Sequence, residues 1–200
     1  MKTNFAIGLT GGICTGKSAV EKYLSKYFKV IDVDKTVHHL YQTNKSLIES
    51  IGLNFGSRVV CKNTIDRKLL GQIVFKDSDK LKILVDLVHP EVTKFLLKEI
   101  SACRQKKYIC IFSIPLLFEN SWQKSLDQTL LITCDEKTQL ERIKLRDNKT
   151  EEEAKQVISY QMPQFKKLEK ADYFIENNSS LNDLFKKVEK TLQKMKLSVE

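Results

Sequence analysis

Gly11-Gly12-Ile13-Cys14-Thr15-Gly16-Lys17-Ser18 reads G-x-x-x-x-G-K-S, the phosphate-loop pattern without a mismatch. The spacing has a physical reason. A loop that wraps a phosphate must aim several backbone N–H groups inward. Glycines permit the dihedrals this needs and keep side chains out of the cradle. A helix starting near Lys17 would present its positive dipole end to the same phosphates. Lys17 would reach the β- and γ-phosphates, and the Ser18 hydroxyl would ligate Mg²⁺. Gly11, Gly12, Ile13, Cys14, Thr15 and Gly16 complete the expected nucleotide site. The loop specifies a nucleoside triphosphate but not the reaction, because GTPases, ATPases and small-molecule kinases all use it.

The flanks turn the loop into a fold. Asn4 to Leu9 reads as a buried strand. Lys17 to Lys26 carries helical apolar spacing at Val20, Tyr23 and Leu24, and Lys29 to Val33 reads as a second strand. Strand, loop, helix, strand opens an α/β fold. From Lys35 to Lys107 the pattern is mostly helical; His89-Pro90 breaks it, and Pro90 is expected to start a new helix. Tyr108 to Ile114 is apolar apart from Ser113, as a strand covered on both faces should be. Gln128 to Cys134 is a fourth strand and Asp172 to Glu176 a fifth. Residues 136–168 are helical and highly charged, and Leu181 to Met195 forms a closing amphipathic helix. The expectation is a three-layer α/β fold with a parallel five-stranded sheet. A single domain would comprise a nucleotide-binding core (1–34, 108–135 and 170–200), a helical substrate-binding insertion (35–107) and a helical lid region (136–169).

Composition sets bounds. Two hundred residues, 42% hydrophobic and 30% charged, suit one globular domain with its own core. The longest apolar run, Tyr108 to Phe118, is far too short to span a bilayer, and no signal-peptide pattern follows Lys2. No membrane association is expected. Five cysteines without C-x-x-C spacing argue against a disulfide framework or zinc site and suit reduced thiols in a cytoplasm. Net charge is +9, which favours polyanionic partners. The excess is mostly lysine spread along helical segments, without a basic block interleaved with aromatics, so no nucleic-acid partner is expected.

Two further constellations narrow the reaction. Asp32 and Asp34 close the second strand, where ligands of open α/β sheets bind. Alternation along a strand would point them to opposite faces. Asp34 would then serve either as a carboxylate that accepts or orients the proton of an attacking hydroxyl, or as the cap of the next helix. Arg142 and Arg146 stand four apart, on one helix face. Two of the chain's five arginines there suit a lid that clamps phosphate oxygens, or ion pairs with Glu141 and nearby acids. The base-reading motif of a GTPase does not follow a late strand, which favours an ATP-dependent kinase acting on a small molecule.

The ordered set of motifs resembles the dephospho-CoA kinase family over nearly the whole chain. It comprises Gly8-Leu9-Thr10-Gly11-Gly12-Ile13, Gly16-Lys17-Ser18, Ile31-Asp32-Val33-Asp34, Phe55-Gly56, Ile65-Asp66-Arg67 with Leu70, and Ile73-Val74-Phe75. His89-Pro90, Pro115-Leu116-Leu117-Phe118-Glu119, Gln139 with Arg142 and Arg146, Gln161, Ala171-Asp172 and Asn177 follow. The resemblance implies transfer of the γ-phosphoryl group of ATP to the ribose 3′-hydroxyl of dephospho-CoA, giving coenzyme A and ADP. It implies Asp34 as the catalytic carboxylate, Lys17 and Arg142 on the transferring phosphate, Arg146 on ATP and Asn177 near the adenine. Arg67, His89, Pro115 and Leu116 would line or brace the dephospho-CoA site. Gln139 and Gln161 read equally well as helix-surface amides. The family usually has Gly and Ser where Cys14 and Thr15 stand, and often Gly where Asn63 and Asn178 stand. A thiol in an electropositive loop is expected to have a lowered pKa, making Cys14 sensitive to alkylation. Oligomeric state is not legible.

Overall fold

The computed structural model describes residues 5–197, so residues 1–4 and 198–200 of the expected core, with Asn4 of its first strand, lie outside them. The chain forms two compact units, one of residues up to Ile31 and from Ile100 onward, the other Asp32–Glu99.

The first unit is built on a parallel sheet. β1 (Ala6–Gly11) is buried along its whole length. It is followed by the phosphate loop and α1 (Lys17–Leu24). β2 (Lys29–Asp32) leads into the second unit. There α2 (Val33–Thr43), α3 (Lys45–Phe55), a two-stranded hairpin of β3 (Val60–Cys61) and β4 (Thr64–Ile65), and α4 (Arg67–Val74) follow. α5 (Ser78–Lys106) carries the chain back to β5 (Cys110–Ser113). β6 (Gln128–Thr133), α6 (Glu136–Asp147), α7 (Glu151–Ser159), α8 (Gln164–Leu168), β7 (Tyr173–Glu176) and α9 (Leu181–Lys194) complete it.

The sheet order is β2-β5-β1-β6-β7. β1 pairs in parallel with β5 on one side and β6 on the other. Chain order therefore reverses at β1, and a crevice opens beyond the carboxyl ends of the strands at that point. Leu9 is level with Ser113 and Gly11 with Ile132, so the loop leaves β1 between the ends of its two neighbours. α1 and α9 cover the sheet through Val20, Tyr23, Leu24, Leu184, Val188 and Leu192, packed on Ile7, Leu9, Ile111, Leu130, Ile132 and Ile175. The Tyr23 hydroxyl donates to Glu189, which joins these two helices, and its ring stacks on Phe185. The second unit has its own core of Tyr41, Leu47, Ile48, Ile51, Phe55, Val59, Ile65, Leu70 and Val74.

Three sequence expectations need correction. Pro90 does not start a helix: α5 runs through it without a break for 29 residues. Proline removes one i→i−4 bond, yet long helical flanks on both sides hold the turn, and the helix stops only near Lys107, at φ 55°. The second strand ends at Asp32 rather than Val33, because Asp32 caps α2: its Oδ1 accepts from the amides of Asp34 (3.0 Å) and Lys35 (3.3 Å). Strand alternation therefore does not orient Asp34, which stands in the first turn of α2. The hairpin β3–β4 replaces part of the expected helical run. Lys62 and Asn63 turn it at φ 48° and 60°, the double left-handed geometry of a tight hairpin.

Candidate active site

The loop is built by local rules. Thr15 folds back on Gly12, its amide (3.3 Å) and hydroxyl (2.9 Å) both donating to the Gly12 carbonyl. This leaves no room at Gly11, where a Cβ would lie 2.7 Å from the Thr15 hydroxyl and 2.7 Å from the Ile132 carbonyl. Gly16 precedes α1 at φ 104°, where a Cβ would run into the Asn177 amide. Cys14 has φ 58°, which accounts for glycine at this position in the resembled family.

The remaining loop carbonyls are held from outside. Gln139 Nε2 on α6 donates to the Ile13 carbonyl at 2.7 Å. Arg142 Nη1, one turn on, reaches the Cys14 carbonyl at 3.5 Å. Asn177 Nδ2, just past β7, donates to the Thr15 carbonyl at 2.8 Å. The Ile13 amide donates to Gln161 Oε1 at 2.9 Å. Gln139 and Gln161 are thus loop contacts rather than surface amides. In the sequence, their only sign was membership of the ordered motif set.

Lys17 bends toward the end of β5. Its Nζ donates to Ser113 Oγ at 2.6 Å and lies 3.4 Å from Glu21 Oε2, to which Ser113 also donates at 2.7 Å. The sequence reading missed Ser113 and Glu21 as site residues. The signals were there: a lone hydroxyl in an apolar strand, and a carboxylate four residues after Lys17 on one helix face. Ser18 is exposed at the start of α1.

Arg146 is forked on Asp147, Nε to Oδ1 and Nη2 to Oδ2 both at 2.8 Å, and among the described residues neither arginine pairs with Glu141. Asp147 is held below the usual carboxylate range by that guanidinium. Both arginines favour the Cys14 thiolate electrostatically, and the Arg142 contact with the Cys14 carbonyl places this part of α6 at the loop. They do not make the thiol reactive. Burial pushes the Cys14 pKa up and outweighs the arginines, so the expected lowering is overturned. Cys14 is half-buried in the loop.

Pro115 follows β5 and its carbonyl accepts from Thr10 Oγ1 at 3.2 Å; Leu116 beside it is exposed. Glu119 at the end of this segment accepts from the Met162 amide (3.0 Å) and lies 3.0 Å from Lys167 Nζ, so it ties the segment to the residues after α7.

Asp34, Arg67 and His89 belong to the second unit. Arg67 opens α4 after the cap Asp66, and its Nη1 meets His38 Nδ1 at 3.3 Å rather than pairing with Asp66. His38 stands four residues after Asp34 on α2, which puts Asp34, His38 and the Arg67 guanidinium along one side of that helix. His89 is half-buried in the middle of α5, so it does not anchor a helix start.

The residues present fit a magnesium nucleotide. Loop carbonyls held outward by Gln139 and Asn177, glycines at Gly11 and Gly16 where a Cβ would collide with the groups packed around the loop, and the Lys17 ammonium beside it suit a polyphosphate. Mg²⁺ keeps several waters and takes few protein ligands when phosphates supply the rest, which matches a lone exposed hydroxyl at Ser18. Among the described residues no cluster of three His, Cys, Asp or Glu side chains is placed to hold a metal ion.

A phosphate loop at the reversal point of a parallel α/β sheet, with an arginine-bearing helix over it, defines the class of P-loop phosphotransferases. A sequence profile of the dephospho-CoA kinase family matches residues 5–183. The chain belongs to that family. It is 46% identical over 186 residues to a dephospho-CoA kinase of Fusobacterium nucleatum, covering 92% of this chain and 95% of the relative. It is 39% identical over 191 residues to one from Shouchella clausii, covering 94% and 97%. A solved dephospho-CoA kinase from Campylobacter jejuni superposes with a TM-score of 0.76 at 32% identity, covering 98% of both chains.

Proposed function

We propose that this chain transfers the γ-phosphoryl group of ATP to the ribose 3′-hydroxyl of dephospho-CoA, giving coenzyme A and ADP, the last step of coenzyme A biosynthesis. The observation that carries the reading is the complete phosphate loop, braced by the α6 side chains, in a chain of this family.

Each residue has an assigned task. The Gly11–Ser18 backbone binds the polyphosphate. Lys17 leaves Ser113 for the β- and γ-oxygens and neutralises charge that builds on the transferring group. Arg142 approaches the same oxygens from α6, and Arg146 exchanges Asp147 for ATP. Ser18 would hold Mg²⁺ through its hydroxyl, and the ion would supply charge withdrawal at the phosphates. Asp34 accepts or orients the proton of the 3′-hydroxyl. Its support is its place in the first turn of α2, with helix capping already done by Asp32. Arg67, His89, Pro115 and Leu116 line or brace the dephospho-CoA site, and Asn177 lies near the adenine. The working division is a nucleotide-binding core, the 35–107 segment for dephospho-CoA and the 136–169 segment as lid. We place the reaction in the cytoplasm, a compartment where free thiols persist.

The test is a substrate comparison. MgATP is supplied with dephospho-CoA, with nucleosides and with nucleoside monophosphates, and ADP release is followed. Turnover is expected with dephospho-CoA. Protein that binds ATP yet turns over only a nucleoside or its monophosphate would overturn the reading.

A further inference from the structure

We propose that Gln139 and Asn177 are positioning residues that aim the phosphate-loop amides of Cys14 and Gly16 at the nucleotide. The inference deepens the assignment of the loop as the polyphosphate site and rests on it.

In a planar trans peptide, the C=O of one residue and the N–H of the next point in opposite directions. No peptide bond among the described residues is cis. Fixing a loop carbonyl therefore fixes the amide that follows it. Gln139 Nε2 holds the Ile13 carbonyl at 2.7 Å, which turns the Cys14 N–H the opposite way. Asn177 Nδ2 holds the Thr15 carbonyl at 2.8 Å, which does the same for the Gly16 N–H. Both anchors are buried, Gln139 at 7% and Asn177 at 4% exposure, so water does not compete for these carbonyls. Among the described residues, neither the Cys14 nor the Gly16 amide donates a hydrogen bond. The Ile13 amide is a built-in contrast, since Gln161 Oε1 occupies it at 2.9 Å.

The anchors come from different elements, α6 and the segment after β7, so each can be removed without the other. A loop whose amides are oriented before the ligand arrives does not pay that ordering cost on binding. Gln139 also shares α6 with Arg142, so the helix that carries the arginine also sets a loop amide.

The experiment uses the full chain and MgADP. The first measurement needs no variant: amide ¹H–¹⁵N resonances are followed as MgADP is added. Cys14 and Gly16 are expected to shift strongly and Ile13 weakly. The second uses Gln139→Met, which keeps side-chain length but has no donor. Its Kd for MgADP, by calorimetry, is expected to rise about tenfold, the worth of one hydrogen bond. The Cys14 response should shrink while the Gly16 response persists. In turnover, KM for ATP should rise while KM for dephospho-CoA stays within twofold. Cys14 and Gly16 amides that do not move in MgADP-saturated wild-type protein would overturn the proposal. So would a folded Gln139→Met protein that binds MgADP as wild type does, or that loses both substrates equally. Wild-type protein that fails to bind MgADP at all would instead remove the phosphate-site assignment beneath it.

Discussion

Cys14 occupies a left-handed backbone position, φ 58°, in the middle of the phosphate loop. A side chain there costs roughly 1–2 kcal/mol relative to an unstrained conformation. Glycine removes that cost but gains freedom in the unfolded chain. Cys14→Gly is therefore expected to raise stability by no more than about 1 kcal/mol, read as a shift of the urea midpoint at unchanged slope. The Cys14 thiol is held protonated by burial, so at pH 7 it should alkylate more slowly than the exposed Cys61. Iodoacetamide labelling resolved by peptide mass would show this, and faster labelling at Cys14 would contradict it. Cys134 gives a pH prediction. Burial pushes its pKa up to about 11 from an ordinary 9.0. Between those values the unfolded chain has lost the proton and the folded chain keeps it, so stability falls as pH rises from about 9 and levels off near 11. Cys134→Ala should flatten that decline in urea unfolding. Asp34→Asn should lower kcat by roughly 10²–10⁴, the range for a lost general base, while MgADP affinity stays near wild type. Near-normal kcat would leave Asp34 without a catalytic task.

At the scale of elements, β1, α1, β5 and β6 were legible because each is decided locally. The strands are short apolar runs beside turn signals, and α1 has apolar residues at helical spacing after a glycine. The hairpin β3–β4 was not legible, since two-residue strands carry no period-2 signal. Its turn was half visible in Asn63, flagged as a glycine-like position, which does adopt φ 60°. The contacts of Gln139, Gln161 and Asn177 with the loop were invisible for another reason. They join residues more than 120 positions apart, and no local pattern reports such pairs. Pro90 misled because its start preference is statistical, whereas α5 is long enough to bridge a missing hydrogen bond. The carbonyl of Asp86 loses its i→i+4 donor there. Pro90 is exposed, so Pro90→Ala restores the bond without opening a core cavity. It should raise stability by about 1–3 kcal/mol, measured by urea unfolding. A loss of stability would mean that the proline ring is built into the packing of α5.

At the scale of the molecule, each of the two units has a hydrophobic core of its own, and the phosphate loop lies in one of them with its anchors Gln139, Arg142, Gln161 and Asn177. A ligand that binds only the folded loop stabilises that unit by mass action, about 2.7 kcal/mol at a hundred times its Kd. For a chain of this size, each kcal/mol raises the melting temperature by about 2–4 °C. Saturating MgADP is therefore expected to raise the transition by about 5–10 °C in scanning calorimetry. A single transition moving as one would mean that the two cores melt together. Two transitions, of which only one moves, would mean that they melt separately and would identify which one holds the loop. Hydrogen exchange gives the same answer residue by residue. Protection should rise at residues 12–16 and along α6, because Gln139 and Arg142 on α6 hold loop carbonyls. The β3–β4 hairpin belongs to the other core and is expected to keep its exchange rate. A transition that does not move at a hundred times Kd would break the link between loop and stability. Protection gained at the hairpin but not on α6 would place the nucleotide elsewhere than the loop.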